Sequence, residues 1–230
     1  MLNFSLKKTI LSLIIGFIFI SFFLFDINEF FTLDAIIKNN NLLLEYVQKN
    51  KYFSILLLYS IFLILLICFI PIASIMVILS SYLFGLFITI PISILVVTIG
   101  GLLNFFLLKK INLIKIFEKA NSYALKLQNK IKKNEFQYIL ILRLIPMPFI
   151  IQNAVMVILN VRLRNFLIAT MIGVTPYAVI YSLAGYKLKE LIYSKESIGL
   201  KDIINYENFL IIVIFITFVF ISIILKKKIN

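Results

Sequence analysis

Histidine is absent from the chain and cysteine occurs once, as Cys68. Without an imidazole there is no Ser-His-Asp or Cys-His triad, no His-ligated zinc or haem, and no histidine proton relay. A lone cysteine rules out an intramolecular disulfide. Acids are scarce as well: ten in 230 residues, with none between Glu45 and Glu118 or between Glu135 and Glu190. Those acid-free stretches offer no carboxylate for general-base work, metal binding or ion coupling. Short alternating segments separated by polar turns, the mark of a transmembrane β-barrel, are missing too. The expectation is a protein that is not an enzyme and takes no cofactor and no metal.

What the chain has in abundance is apolar surface. Hydrophobic residues make up 62% of it and fall in blocks, roughly 10–25, 53–108, 136–186 and 209–225. That pattern predicts an all-α polytopic integral membrane protein. The net charge of +13 fits cytoplasmic loops facing anionic lipid better than it fits nucleic acid, which is not expected as a partner. The wealth of Ile, Lys, Asn and Phe points to an AT-rich genome, which contributes to the lysine excess. Lys7 and Lys8 precede an apolar core with no small-residue cleavage site after it, so residues 1–28 read as an uncleaved anchor helix.

Charge sets the orientation. With an inward N-terminus, 29–52 is an external segment, 109–135 and Arg162–Arg164 are internal, 188–208 is an external loop, and 209–230 carries a C-terminal transmembrane helix. This arrangement requires the stretches 53–86 and 136–161 each to return to the side they entered from. The inside then holds fifteen of the 23 Lys and Arg against two acids, Glu118 and Glu135; the outside holds seven against eight. Such a bias predicts N-in and C-in. The 26 residues of 136–161 cannot cross twice, since ~30 Å of hydrocarbon needs about 20 helical residues. They must dip and return, whereas 53–86 is long enough to leave dipping or spanning open. Between the two, about 112–133, apolar residues such as Leu113, Phe117 and Leu127 alternate with lysines at helical spacing, which predicts an amphipathic helix on the cytoplasmic surface.

Residues 140–153, LILRLIPMPFIIQN, interrupt an apolar run with Arg143, Pro146, Pro148, Gln152 and Asn153. Prolines end the inbound helix at depth, and the freed backbone must be buried in protein or line a wet cavity. Gln152 and Asn153 suit either role. Arg143 has no acid in its own segment; Glu135 at the hairpin mouth is the nearest. Unpaired, its planar fork suits an anionic phosphate headgroup. The competing placement is shallow, with the side chain snorkelling to the interface, since Glu135 lies only about 12 Å of helix away. ICFIP (67–71) aligns with LRLIP (142–146) at an offset of 75, placing Pro71 on Pro146 and Cys68 on Arg143. Paired proline-broken segments of opposite orientation mark an inverted repeat with a binding site where the breaks meet. Arg162 and Arg164 read as positive-inside anchors, Tyr177, Tyr181 and Tyr186 as packing or interfacial residues, and Pro176 as a kink in its span.

With PIASIMVILSSYLFG (71–85), VVTIGGLLNFFLLKK (96–110), LRLIPMPFIIQNAVMVILNVRLRNFLIATMIGVTP (142–176) and YSLAG (181–185), the chain resembles the DedA superfamily, specifically its VTT-domain branch, the "SNARE-associated Golgi protein" family. The resemblance covers about 55–187. It implies two re-entrant hairpins facing one another, each followed by a transmembrane helix, with N- and C-terminal helices added, in a core at 53–187. It also implies lipid movement, of polyprenyl phosphate in bacterial relatives and of phospholipid in eukaryotic ones. The family's hairpin arginine falls on Arg143 and its proline on Pro146. Many members carry acids in the first hairpin; here 46–117 has none, so a downhill scramblase or facilitator fits better than proton coupling.

The functional expectation is therefore a transporter or scramblase of phosphate-headgroup lipids, with Arg143, Pro146, Pro148, Gln152, Asn153 and Pro71 at its site. Its partners are membrane lipids, self-association stays open, and its place is a bacterial inner membrane. The alternatives are a non-transporting scaffold or assembly factor, and an ion-coupled solute transporter.

Overall fold

The computed structural model describes residue 21, residues 38–110, 131, 132, 134–145 and 147–194, the last four by backbone alone. The expected anchor 1–28, apart from residue 21, the loop 188–208 beyond Ser194 and the helix 209–230 lie outside the described residues, as does the amphipathic segment 112–133 apart from 131 and 132. Within what is described there are seven helices and no strand: α1 Asn40–Lys49, α2 Lys51–Ile67, α3 Ala73–Phe84, α4 Leu86–Lys110, α5 Glu135–Leu144, α6 Phe149–Ile158 and α7 Leu163–Ser194.

Two of them, α4 and α7, are long and apolar enough to cross a membrane, and α1 with α2 adds a third candidate bent by 118°. α3 and α6 are apolar but short; twelve and ten residues reach only about 18 Å and 15 Å at the helical rise. The external segment expected at 29–52 contains the helix α1, whose Leu43, Leu44 and Val47 pack on Leu79, Tyr82 and Leu83 of α3.

α4 is turned around relative to a helix of a water-soluble bundle. α4 exposes Leu95, Ile99, Leu103 and Phe106 at three- and four-residue spacing, and buries Thr89, Ser93, Gly100, Gly101 and Asn104. Small and polar residues inside with apolar residues outside is how helices pack when the surrounding solvent is lipid. α7 packs against α3, α4 and α5, while α4 packs against α2, α3 and α6. Glycine makes the closest crossing possible: a Cβ on Gly185 of α7 would run into the Ile78 carbonyl oxygen and lie 3.0 Å from Ser81 Cβ on α3. Beside it Ser81 Oγ donates to the Ser182 carbonyl at 2.5 Å.

Each short helix follows a break. α2 ends with Phe69 in the left-handed region (φ 64), whose N–H bonds the Leu66 carbonyl while the Ile70 N–H reaches back to Leu65. This is a Schellman ending, and Pro71 follows because it cannot continue a helix. α5 runs out into extended backbone at Ile145, and α6 restarts after Pro148.

Candidate functional site

The broken ends expose carbonyls that lipid cannot satisfy, and side chains of the same core reach in to satisfy them. Asn104 of α4 donates through Nδ2 to the Leu66 carbonyl at the end of α2, at 3.0 Å. Tyr177 of α7 donates its hydroxyl to the Leu144 carbonyl at the end of α5, at 2.8 Å. Gln152 turns back from the first turn of α6 and donates through Nε2 to the Ile145 carbonyl, at 3.0 Å.

Arg143 occupies the last turn of α5 and is 2% exposed. Its Nε donates to Thr170 Oγ1 at 3.1 Å, one terminal nitrogen to Gln152 Oε1 at 3.0 Å, and the other to Asn153 Oδ1 at 2.7 Å. The guanidinium carbon lies 4.5 Å from the Phe149 ring centroid and 5.3 Å from that of Phe166, within cation–π range. Gly173 makes room for the stem: a Cβ there would sit 2.5 Å from Arg143 Cβ. The side chain is thus enclosed by protein and does not snorkel to an interface. Glu135 does not reach it either. That carboxylate accepts the Arg162 N–H at 2.6 Å, Arg162 Nε at 2.8 Å and Asn165 Nδ2 at 2.5 Å. It caps the start of α7, and Arg162 is its ion-pair partner as well as a basic flank. Burial alone would push the Glu135 carboxyl up, but the hydrogen bonds from Arg162 and Asn165 outweigh it and hold it below the ordinary value.

A cavity of about 390 Å³ opens where the two breaks meet. The first break contributes Pro71 and Ser74, the second Pro148 and Phe149, α4 gives Ser93 and α7 gives Tyr177; Arg143 and Gln152 also line it. The lining contains no Asp or Glu among the described residues. Neither α3 nor α6 has a side-chain N-cap, and residues from the first turn of each, Ser74 and Phe149, face this space.

Of the residues singled out from the sequence, Pro71, Arg143, Pro148 and Gln152 come together on the cavity wall. Asn153 is fully buried behind it, holding Arg143 through its oxygen while its Nδ2 has no hydrogen-bond partner among the described residues. Pro146 lies outside the described residues. Sequence reasoning missed Thr170, Phe149 and Phe166 around the guanidinium, and it read Tyr177 and Tyr181 as packing or interfacial residues, whereas both line the cavity. A signal was available on α7: Thr170, Gly173 and Tyr177 share one helical face, and all three meet the end of α5.

Residues 70–187, just over half of the chain, match the family model of the VTT domain. The chain belongs to the VTT-domain family. No curated protein and no solved structure matches it. The match covers Pro71, the second break, the cavity lining, α4 and α7 as far as residue 187, and with the apolar helices it makes this an integral membrane protein of the DedA and VTT group.

Proposed function

We propose that this VTT-domain protein moves lipids with phosphate headgroups between leaflets, and that 53–86 and 136–161 are re-entrant hairpins of an inverted repeat. The observation that carries the reading is the shared cavity. Two half-length helices, one from each hairpin, begin at its wall without side-chain caps, beside a buried guanidinium with no carboxylate partner among the described residues. Helix N-termini carry partial positive charge and free N–H groups that favour phosphate. Half-helices that meet near mid-depth are how many transporters hold an anionic substrate. The barrier to lipid flipping is desolvation of the headgroup in hydrocarbon. A polar, positively biased cavity lowers that barrier while the chains stay in lipid, and no covalent step is needed. An uncoupled, downhill movement is in keeping with the acid-free lining; the charge bias of the sequence supports both termini inside, in a bacterial inner membrane.

A second reading has its own support. Arg143 already has three oxygens and two aromatic rings around it, so it serves equally as a pin in a non-transporting scaffold. Translocation of fluorescent phospholipid and polyprenyl phosphate in proteoliposomes separates the two. Wild type is compared with Arg143→Ala and with Ser74→Phe, which fills the cavity but leaves the arginine in place. Lipid transport requires wild-type flux well above empty liposomes, with Ser74→Phe slowed at an unchanged thermal midpoint. Wild-type flux equal to that of empty liposomes for both lipids would leave the scaffold standing.

A further inference from the structure

The cavity has a second polar feature at Ser93, with Thr89 and Tyr59 packed behind the wall rather than lining it. Ser93 of α4 lines it and is fully buried. One turn earlier Thr89 is also fully buried, and its Oγ1 has no hydrogen-bond partner among the described residues. Tyr59 of α2 reaches to both: its hydroxyl lies 3.4 Å from the Thr89 carbonyl oxygen and 3.4 Å from Ser93 Oγ. Hydroxyl bonds settle near ~2.7 Å when they are well made. These are stretched, so the Ser93 and Tyr59 hydroxyls are loosely held, and of the three only Thr89 Oγ1 is without a partner among the described residues. Leaving such groups unpaired is costly in a low-dielectric surrounding, which favours a ligand or water that completes them. Ser74, at the start of α3, adds another hydroxyl to the same wall.

We propose that Ser93, backed by Tyr59 and Thr89, is a hydroxyl-binding point on the cavity wall, and that the preferred cargo is a hydroxyl-bearing phosphodiester headgroup of the phosphoglycerol type. The proposal rests on the lipid-transport reading. In it the phosphate sits toward Arg143 and the helix N-termini, the headgroup hydroxyls complete the Ser93 cluster, and the chain-proximal part lies against Val77, Val97 and Val174. An ammonium headgroup is disfavoured, because it would enter beside a buried guanidinium with no described carboxylate lining the cavity to offset the repulsion. Nor do the aromatic residues box in a cation: Tyr177 and Tyr181 stack on each other at 22° between ring planes. A phosphomonoester without hydroxyls leaves the cluster unfilled.

The test measures flux of fluorescent phosphatidylglycerol, phosphatidylethanolamine and polyprenyl phosphate in proteoliposomes, for wild type and for the Ser93→Ala/Tyr59→Phe double variant. Wild type should favour the glycerol headgroup over the ethanolamine one by about tenfold, the scale of one or two good hydrogen bonds. The double variant should lose that preference, its glycerol-lipid flux falling to the level of the ethanolamine lipid, while its thermal midpoint in detergent stays that of wild type and reports correct folding. Equal wild-type flux of the two phospholipids, or an equal slowing of all three lipids in the variant, overturns the subsite. Absence of wild-type flux for every lipid instead overturns the transport reading beneath it. Millimolar glycerol 3-phosphate should leave the glycerol-lipid flux unchanged. Inhibition by it would assign the site to water-soluble phosphates and overturn the lipid half of the proposal.

Discussion

Arg143 is buried with neutral oxygens from α6 and α7, and no carboxylate is among its hydrogen-bond partners. The charge is solvated by oriented dipoles and two ring faces, an arrangement that fixes the position of α5 against α6 and α7 and leaves the positive charge uncancelled. Glu135, one hairpin arm away, shows the opposite solution: a carboxylate whose partners include a full charge, at the wet edge where the Arg162 side chain is 74% exposed. Because its folded pKa is depressed, its stabilisation is complete above the unfolded value of about 4.3 and is lost as pH falls through the lower folded value. Glu135→Gln should therefore lower stability at pH 7 by about 1–3 kcal/mol, the cost of weakening a buried charged hydrogen-bond set. Thermal melts of the detergent-solubilised protein should show the gap between wild type and variant closing below about pH 4. A gap that persists unchanged at pH 3 would mean the carboxylate's charge contributes nothing.

At the scale of elements, the 75-residue offset recurs in backbone angles. Gly85, between α3 and α4, has φ 82, and Asn160, between α6 and α7, has φ 49; the two are 75 residues apart, the same offset that pairs Pro71 with Pro146. The prolines made the offset legible in the sequence. The two turn residues did not, because glycine and asparagine are different answers to one steric problem. Gly85 combines positive φ with ψ 173, a region nearly closed to other residues, while Asn160 sits in the ordinary left-handed well. Open space surrounds Gly85, so Gly85→Ala isolates the backbone cost and should destabilise by about 1–3 kcal/mol. Asn160→Gly should be close to neutral. Detergent melts of the two variants check this; equal effects would deny the difference in backbone region. The breaks at 68–72 and 145–148 were likewise legible, since proline announces them. The ring of partners around Arg143 was not: Thr170, Phe149 and Phe166 are ordinary residues of apolar helices until folding brings three segments together. α1 was hidden for a different reason, its amphipathic face being short and joined to α2 through Asn50 without a glycine or proline.

For the whole molecule, the charge count and the helix lengths make one joint demand. If α2 and α3 dip and return, the residues flanking them lie on one side of the membrane, and those flanking α5 and α6 lie on the other. The lengths favour this, since neither α3 nor α6 reaches across ~30 Å on its own. The clustering of Lys109, Lys110, Lys132, Arg162 and Arg164 at chain ends bordering the second hairpin favours placing that side inward. Single cysteines in a Cys68→Ser background read it directly, because Cys68 is buried and its loss removes the only native thiol. Gln48→Cys and Phe87→Cys, both at exposed positions flanking the first hairpin, should react with a membrane-impermeant maleimide added to intact cells. Lys132→Cys and Arg164→Cys, exposed at the mouth of the second hairpin, should react only after permeabilisation. If Gln48 and Phe87 instead label from opposite sides, the first hairpin crosses the bilayer. The two breaks would then not face each other from opposite leaflets, and the shared cavity would lose the symmetry that alternating access to both leaflets requires.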